Sequence, residues 1–146
     1  MNCLVTGGAG FIGSNIVRSL LDAGNSVRIL DNFSTGKRDN LGPLASRIDL
    51  IEGDIRSYHI VHEAARDVDV IFHQAALPSV PRSIADPITS NQVGVEGTLN
   101  ILNAAKDTGV RRVVYASSSS IYGENPDLPK HESMVPMPIS PYAVAK

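Results

Sequence analysis

Tyr142 and Lys146 stand four residues apart in the segment SPYAVAK, Ser140 to Lys146. At helical spacing both side chains lie on one face. A free phenol ionises near pH 10 and is a poor base at neutral pH, but a neighbouring ammonium favours the phenolate. The pair is therefore a candidate proton carrier for a hydroxyl held by a third group, such as a serine of the run Ser117 to Ser120. Ser140 suits a helix N-cap and Pro141 the first helical position. Taken alone, the same spacing fits a surface helix whose Tyr and Lys merely pack.

A second chemical cluster lies near the start, in TGGAGFIG. Gly7, Gly10 and Gly13 are spaced G-x-x-G-x-x-G. A tight turn needs a residue without Cβ, Gly10 would let backbone approach a pyrophosphate, and Gly13 would let helix and strand pack closely. The following helix then offers unpaired N–H groups to an anion. Such a pattern is weak by itself; its place between an apolar strand and a helical segment makes it strong. Asp31 follows Gly13 at close to the spacing of about 20 residues at which an acid takes ribose hydroxyls. A carboxylate there would repel a 2′-phosphate, so NAD is favoured over NADP. Asn32 and Ser34 add hydrogen-bonding capacity, though DNFSTG also reads as a turn with its own caps.

These residues need a scaffold. Five apolar runs, NCLVT, SVRIL, IDLIEG, VDVIFHQ and RRVVYAS, alternate with helical segments. Ile12, Ile16, Leu20 and Leu21 mark one expected helix face; Ile60, Val61, Ala64 and Ala65 mark another. A long helix is expected within Ile84 to Ala105, with Val95, Leu99, Leu102 and Ala105 in register. The alternation predicts an α/β fold: a Rossmann-type, doubly wound parallel sheet with helices on both faces, in three layers. Residues 1–146 form one domain. The stretch from Asn32 to Arg47 is a loop or short helix, and Gly123 to Pro141 is a long loop. Strand ends then gather at one edge: Asp54 in EGDI, Ala75 and Ala76 in HQAA, and the serines of YASSSSIYG. Ligands of open parallel sheets bind at that edge. Ala75 and Ala76 leave room for a flat cofactor, or simply make a tight strand–loop junction.

Composition narrows the alternatives. A net charge of −2 with 19% charged residues gives no basic field for nucleic acid. No apolar run reaches the roughly 18 residues of a membrane helix, no signal peptide precedes the first motif, and the protein is expected to be cytoplasmic. Cys3 is the single cysteine and reads as a core filler. His59 and His62 match no zinc-helix order, His73 reads as a structural histidine, His131 has no assignment, and no metal site is expected.

Together TGGAGFIG, DN, GDI, HQAA, SSSSIYG and YAVAK resemble the extended short-chain dehydrogenase/reductase superfamily, and within it the NAD-dependent nucleotide-sugar epimerases. The resemblance covers the whole chain. It implies that Tyr142 is the catalytic base and acid, Lys146 its partner and the holder of the nicotinamide ribose, and Ser118, four residues before Tyr122, the catalytic serine. It implies that Gly7, Gly10, Phe11, Ile12 and Gly13 form the phosphate loop, with Gly36 beside the cofactor. Asp31 and Asn32 then contact the adenosine ribose, and Asp54 and Ile55 the adenine. Ser119 and Ser120 stand where related 4,6-dehydratases carry Asp and Glu, which favours epimerisation. ALPSVPRSIADP is similar to epimerases of UDP-hexoses and UDP-N-acetylhexosamines and brings Ser79 in as a substrate contact. YASSSSIYG also resembles UDP-glucuronate 4-epimerases. Gly94 stands where many relatives have Asn. The resemblance further implies a UDP-sugar substrate and a homodimer in the complete protein. Members are about double this length, so the chain is expected to be an amino-terminal portion, inactive by itself. A decarboxylase or reductase of nucleotide sugars, and a non-catalytic NAD-binding half-domain, are the other readings.

Overall fold

Five short segments rich in Val, Ile and Leu pair as one parallel sheet: β1 (Asn2–Thr6), β2 (Ser26–Asp31), β3 (Ile48–Glu52), β4 (Val70–His73) and β5 (Arg112–Tyr115). The structure, a computed structural model, describes residues 1–146. The spatial order is β3-β2-β1-β4-β5. The chain thus runs outward from β1 to β3, then returns to β4 on the other side of β1. The carboxyl ends of β1 and β4 flank the reversal, where such sheets open a crevice. Each strand coincides with one of the apolar runs; β2 extends one residue past its run, to Asp31, and β3, β4 and β5 are shorter than theirs.

Alternation along each strand divides the core in two. Leu4 joins Leu30, Ile71, Ile101 and Ala104 on one face, under α2 (Tyr58–Ala64) and α5 (Gly97–Thr108). Val5 joins Ile29, Val17 and Leu21 on the other, under α1 (Phe11–Asp22). Leu41 and Leu44 close that side from two 3₁₀ turns, Arg38–Asn40 and Gly42–Arg47, within the segment read as loop or short helix. The outcome is the expected three-layer Rossmann-type arrangement.

Two expected helix faces are rotated. On α1, Ile12 is 62% exposed, while Gly13, Val17 and Leu21 face the sheet and Ile16 and Leu20 flank it. The cause is Gly13: a Cβ there would lie 2.1 Å from the Gly7 carbonyl oxygen. Only a glycine can face the strand so closely, and the residues four and eight further on follow it inward.

The long helix expected within Ile84 to Ala105 is broken into α3 (Val80–Ala85), α4 (Pro87–Asn91), a π-helical turn (Gln92–Glu96) and α5. Pro87 brings no amide, and the Asp86 carboxylate restarts the helix by accepting from the Thr89 N–H at 3.0 Å. The π turn winds more residues per turn, so apolar positions before and after it lose register. Val95, Leu99 and Leu102, expected inward, are 43, 55 and 50% exposed. Of the expected face only Ala105 points inward, joined by Gly97, Ile101 and Ala104. The small residues of that face let α5 approach α2, which presents Ala64.

His73 ends β4 at 2% exposure, and its hydrogen bonds run in one direction. The Thr98 hydroxyl donates to the Gly94 carbonyl at 2.6 Å, so its oxygen accepts from His73 Nε2–H at 3.1 Å. The Thr6 hydroxyl accepts from the Ala75 N–H at 3.2 Å and donates to His73 Nδ1 at 2.6 Å. This is a neutral imidazole with its proton on Nε2, the structural histidine read from the sequence. Burial, and then the charge of Lys146, push its pKa down to about 4.

Two outcomes follow. Gly13→Ala is expected to lower stability by about 2 kcal/mol or more, read as a reduced urea midpoint. For His73, the unfolded chain binds a proton as pH falls through about 6.5, while the folded chain resists until about 4. Stability is therefore full above pH 6.5 and falls by about 3 kcal/mol on the way to pH 4 from this group. Thermal melts across that window should flatten in His73→Gln; an unchanged slope would remove His73 as the cause.

Candidate active site

The carboxyl ends of the strands surround a cleft with two compartments that share Asp31, Thr35 and Ala76. The narrower, about 50 Å³, is lined by Asp31, Asn32, Ser34, Asp54, Ile55, Ala75 and Ala76 among others. The wider, about 430 Å³, runs from Gly7, Gly10, Phe11, Ile12, Gly13 and Gly36 to Ser117, Tyr142 and Lys146. Every residue assigned to a cofactor by the sequence reading thus lines one continuous crevice.

The glycine loop is shaped by backbone crowding. Gly7 has φ +68°, donates its N–H to the Leu30 carbonyl at 2.8 Å, and would press a Cβ to within 2.7 Å of the Ala75 nitrogen. Gly10 is the N-cap of α1, and its carbonyl accepts the Ser14 N–H at 2.9 Å. The amides of Phe11, Ile12 and Gly13 come before that first bond and open the helix N-terminus toward the cleft.

Asp31 is buried at the end of β2. Its Oδ2 accepts from the Ala9 N–H and its Oδ1 from the Phe33 N–H, each at 2.8 Å. It ties the glycine loop to the turn after β2, which is the turn-cap reading of DNFSTG. Gly36 closes beside it: a Cβ there would lie 2.9 Å from Ala9 Cβ and 3.1 Å from Asp31 Oδ1.

Asp54 lies two residues past β3 and is held from two sides. Arg56 donates from Nη2 to Oδ2 at 2.8 Å and from Nε to Oδ1 at 3.0 Å. The Arg56 N–H reaches Oδ1 at 2.9 Å, and Asn32 Nδ2 reaches Oδ2 at 2.9 Å. The guanidinium, chiefly, holds the carboxyl pKa down to about 2.

Tyr142 sits in α6 (Pro141–Val144). The Ser140 hydroxyl accepts from the Ala143 N–H at 3.1 Å, the expected N-cap. The Tyr142 N–H donates to the buried Ser83 hydroxyl of α3 at 3.1 Å. Lys146 lies two residues beyond α6 and donates from Nζ to the Ala116 carbonyl at 2.6 Å. Burial pushes its ammonium pKa down. Gly94, on the π turn, allows this docking: a Cβ there would lie 2.7 Å from Ala145 Cβ.

Ser118 and Ser79 are placed differently from the rest. Ser118 caps the turn Ser119–Tyr122, accepting from the Ser120 N–H at 3.2 Å, and its neighbour Ser117 lines the cleft. Ser79 caps α3 by accepting from the Arg82 N–H at 3.3 Å, with φ +105°, and its neighbour Pro78 lines the cleft. Arg82 is exposed. The sequence reading missed Ser83 and Tyr115. Ser83 carries no motif signal, and Tyr115 reads as one more apolar strand residue.

Arg56→Ala should return the Asp54 carboxyl from about 2 toward the ordinary value near 3.9. The favourable contribution of this ionised pair is present above pH 3.9 and is lost as pH falls toward 2. A carboxyl-carbon NMR titration reads the shift directly, and an Asp54 pKa still near 2 in the variant would assign the depression to the backbone and Asn32.

Comparison with known proteins places this geometry. Residues 3–146 match the NAD dependent epimerase/dehydratase family. A putative UDP-glucose 4-epimerase of Methanocaldococcus jannaschii is 40% identical over 98% of this chain and 47% of its own length. The UDP-N-acetylglucosamine 4-epimerase of Methanobrevibacter ruminantium M1, solved with UDP-N-acetylmuramic acid, superposes with a TM-score of 0.92 at 43% identity, over 99% of this chain and 46% of that one. DesIV, a dTDP-glucose 4,6-dehydratase of Streptomyces venezuelae solved with NAD and TYD, gives 0.94 at 41% identity, over 100% of this chain and 48% of that one. The chain spans about half the length of the relatives it matches. With the glycine loop, Asp31 and the Tyr142–Lys146 pair in one crevice, and a match over nearly its whole length, the chain belongs to the NAD dependent epimerase/dehydratase family.

Proposed function

We propose that the protein bearing this chain is an NAD-dependent 4-epimerase of UDP-sugars, acting on UDP-glucose and UDP-galactose or on their N-acetylhexosamine counterparts. The observation that carries the reading is that Tyr142 and Lys146 line the same cleft as the glycine loop. The names of the M. jannaschii and M. ruminantium relatives support the substrate class. The likeness to DesIV is as close in fold, so fold does not separate epimerase from dehydratase. Ser119 and Ser120 support the epimerase, because hydroxyls stand where the resemblance places the Asp and Glu of 4,6-dehydratases.

The cleft suits NAD. The crowded glycines draw the loop backbone in against Ala75 and the start of α1, and the amides at the start of α1 suit a pyrophosphate. Asp31 with Asn32 and Ser34 suits the adenosine ribose, and Asp54 with Ile55 suits the adenine. Bound NAD supplies the acceptor, and later the donor, of the hydrogen at sugar carbon 4.

In this reading Tyr142 takes the proton of the sugar 4-hydroxyl through its phenolic oxygen. The Lys146 ammonium favours the phenolate and holds the nicotinamide ribose. Ser118 donates to the same sugar oxygen once its hydroxyl turns from Ser120. The 4-keto sugar rotates in the cleft, and Tyr142 returns the proton to the opposite configuration. No net redox change results.

Tyr142→Phe should lower turnover at least about a hundredfold and leave NAD affinity within a few-fold of the parent. The assay is interconversion of UDP-glucose and UDP-galactose, and of the N-acetyl pair, with NADH and carbon dioxide monitored. Unchanged turnover would remove Tyr142 from the role. Steady NADH consumption or carbon dioxide release would replace epimerisation by reduction or decarboxylation.

A further inference from the structure

Lys146 reaches the cleft on a flexible four-carbon stem, and an ammonium so carried is a mobile point charge unless something holds it. Three contacts of the structure converge on it. Its Nζ donates to the Ala116 carbonyl at 2.6 Å. The same Nζ lies 5.2 Å from the centroid of the Tyr115 ring. The Tyr115 hydroxyl donates to the Ala145 carbonyl at 3.2 Å, immediately before the lysine. Tyr115 also shares a small compartment with Gly94, Tyr142 and Lys146.

The ring is itself fixed. Tyr115 is the last residue of β5, in register with His73 on β4, and the two rings are 5.7 Å apart. His73 is neutral in this arrangement, so no positive charge under the ring opposes the ammonium above it. Burial and the nearby Tyr142 raise the Tyr115 phenol pKa, so it stays a neutral donor at physiological pH and does not compete with Tyr142 as base.

We propose that Tyr115 is a positioning residue that seats the Lys146 ammonium, its ring by a cation–π contact and its hydroxyl by anchoring the Ala145 carbonyl. The seat leaves the remaining ammonium protons free to face the cleft. It rests on the assignment of Lys146 to the active site. The two halves of the seat are separable, because Tyr115→Phe keeps the ring and Tyr115→Leu removes both ring and hydroxyl.

The test measures NAD affinity by calorimetry and the pH dependence of kcat in the complete protein, for both variants and for Lys146→Met. Tyr115→Phe should weaken NAD about threefold and Tyr115→Leu about tenfold. In Tyr115→Leu kcat should also fall several-fold and its pH profile should differ from the parent's, because the ammonium is displaced from beside Tyr142. Variants that melt at lower temperature yet bind NAD and titrate like the parent would reduce Tyr115 to packing and overturn the proposal. Should Tyr115→Leu fail to fold, parent-like NAD affinity in Tyr115→Phe overturns the hydroxyl anchor by itself. Lys146→Met separates the two levels. If it retains parent affinity and turnover, the active-site assignment of Lys146 falls and the seat with it. If it loses them while both Tyr115 variants match the parent, only the seat falls.

Discussion

The backbone around Gly7 is the constraint on which the molecule rests. Ala75 nitrogen and the Gly13 position both approach it more closely than any Cβ allows. Three elements, the end of β1, the start of α1 and the segment after β4, meet there with no side chain between them. That contact determines where β4 departs from β1, and so where the sheet reverses and opens. It also determines the rotation of α1, because the residue facing the strand must be Gly13. Packing of Val17 and Leu21 follows from that rotation, and so does the exposure of Phe11 and Ile12 at the mouth of the cleft.

Polar groups near the opening are bound in advance of any ligand. Asp31 accepts two backbone amides, one from the glycine loop and one from the turn after β2. Asp54 accepts from Arg56 and Asn32, and His73 is locked between Thr6 and Thr98. No buried side-chain nitrogen or oxygen is left without a partner. A site held this way presents fixed dipoles and charges, so little reorganisation is needed when an anion or a ribose arrives.

Much of this was legible in the residues. Strand–helix alternation and five β-rich runs were enough for the sheet, and glycine spacing located the turn that organises it. The residues that line the cleft were readable because their chemistry depends on residue type at a strand end. Side-chain direction was not. Val95, Leu99 and Leu102 satisfy helical spacing as well as Ile101, Ala104 and Ala105 do, and only packing against α2 chooses between the two faces. The π turn at Gln92–Glu96 shifted the phase, and its Gly94, a lone glycine inside a helical pattern, does not specify that shift. Within the serine run, which hydroxyl caps and which lines the cleft depended on a backbone turn that four identical residues cannot signal. Ser83 was invisible for a related reason. Its partner, the Tyr142 amide, lies 59 residues away.

That distant bond gives the molecule a mechanical linkage. Ser83 belongs to α3, the helix that Ser79 begins from a backbone conformation few side chains tolerate. Its hydroxyl donates to the Val80 carbonyl at 2.7 Å while accepting the Tyr142 amide, so it couples the two helices rigidly. The placement of the Tyr142 backbone therefore depends on α3, and the segment after β4 has a direct hydrogen-bonded route to the tyrosine.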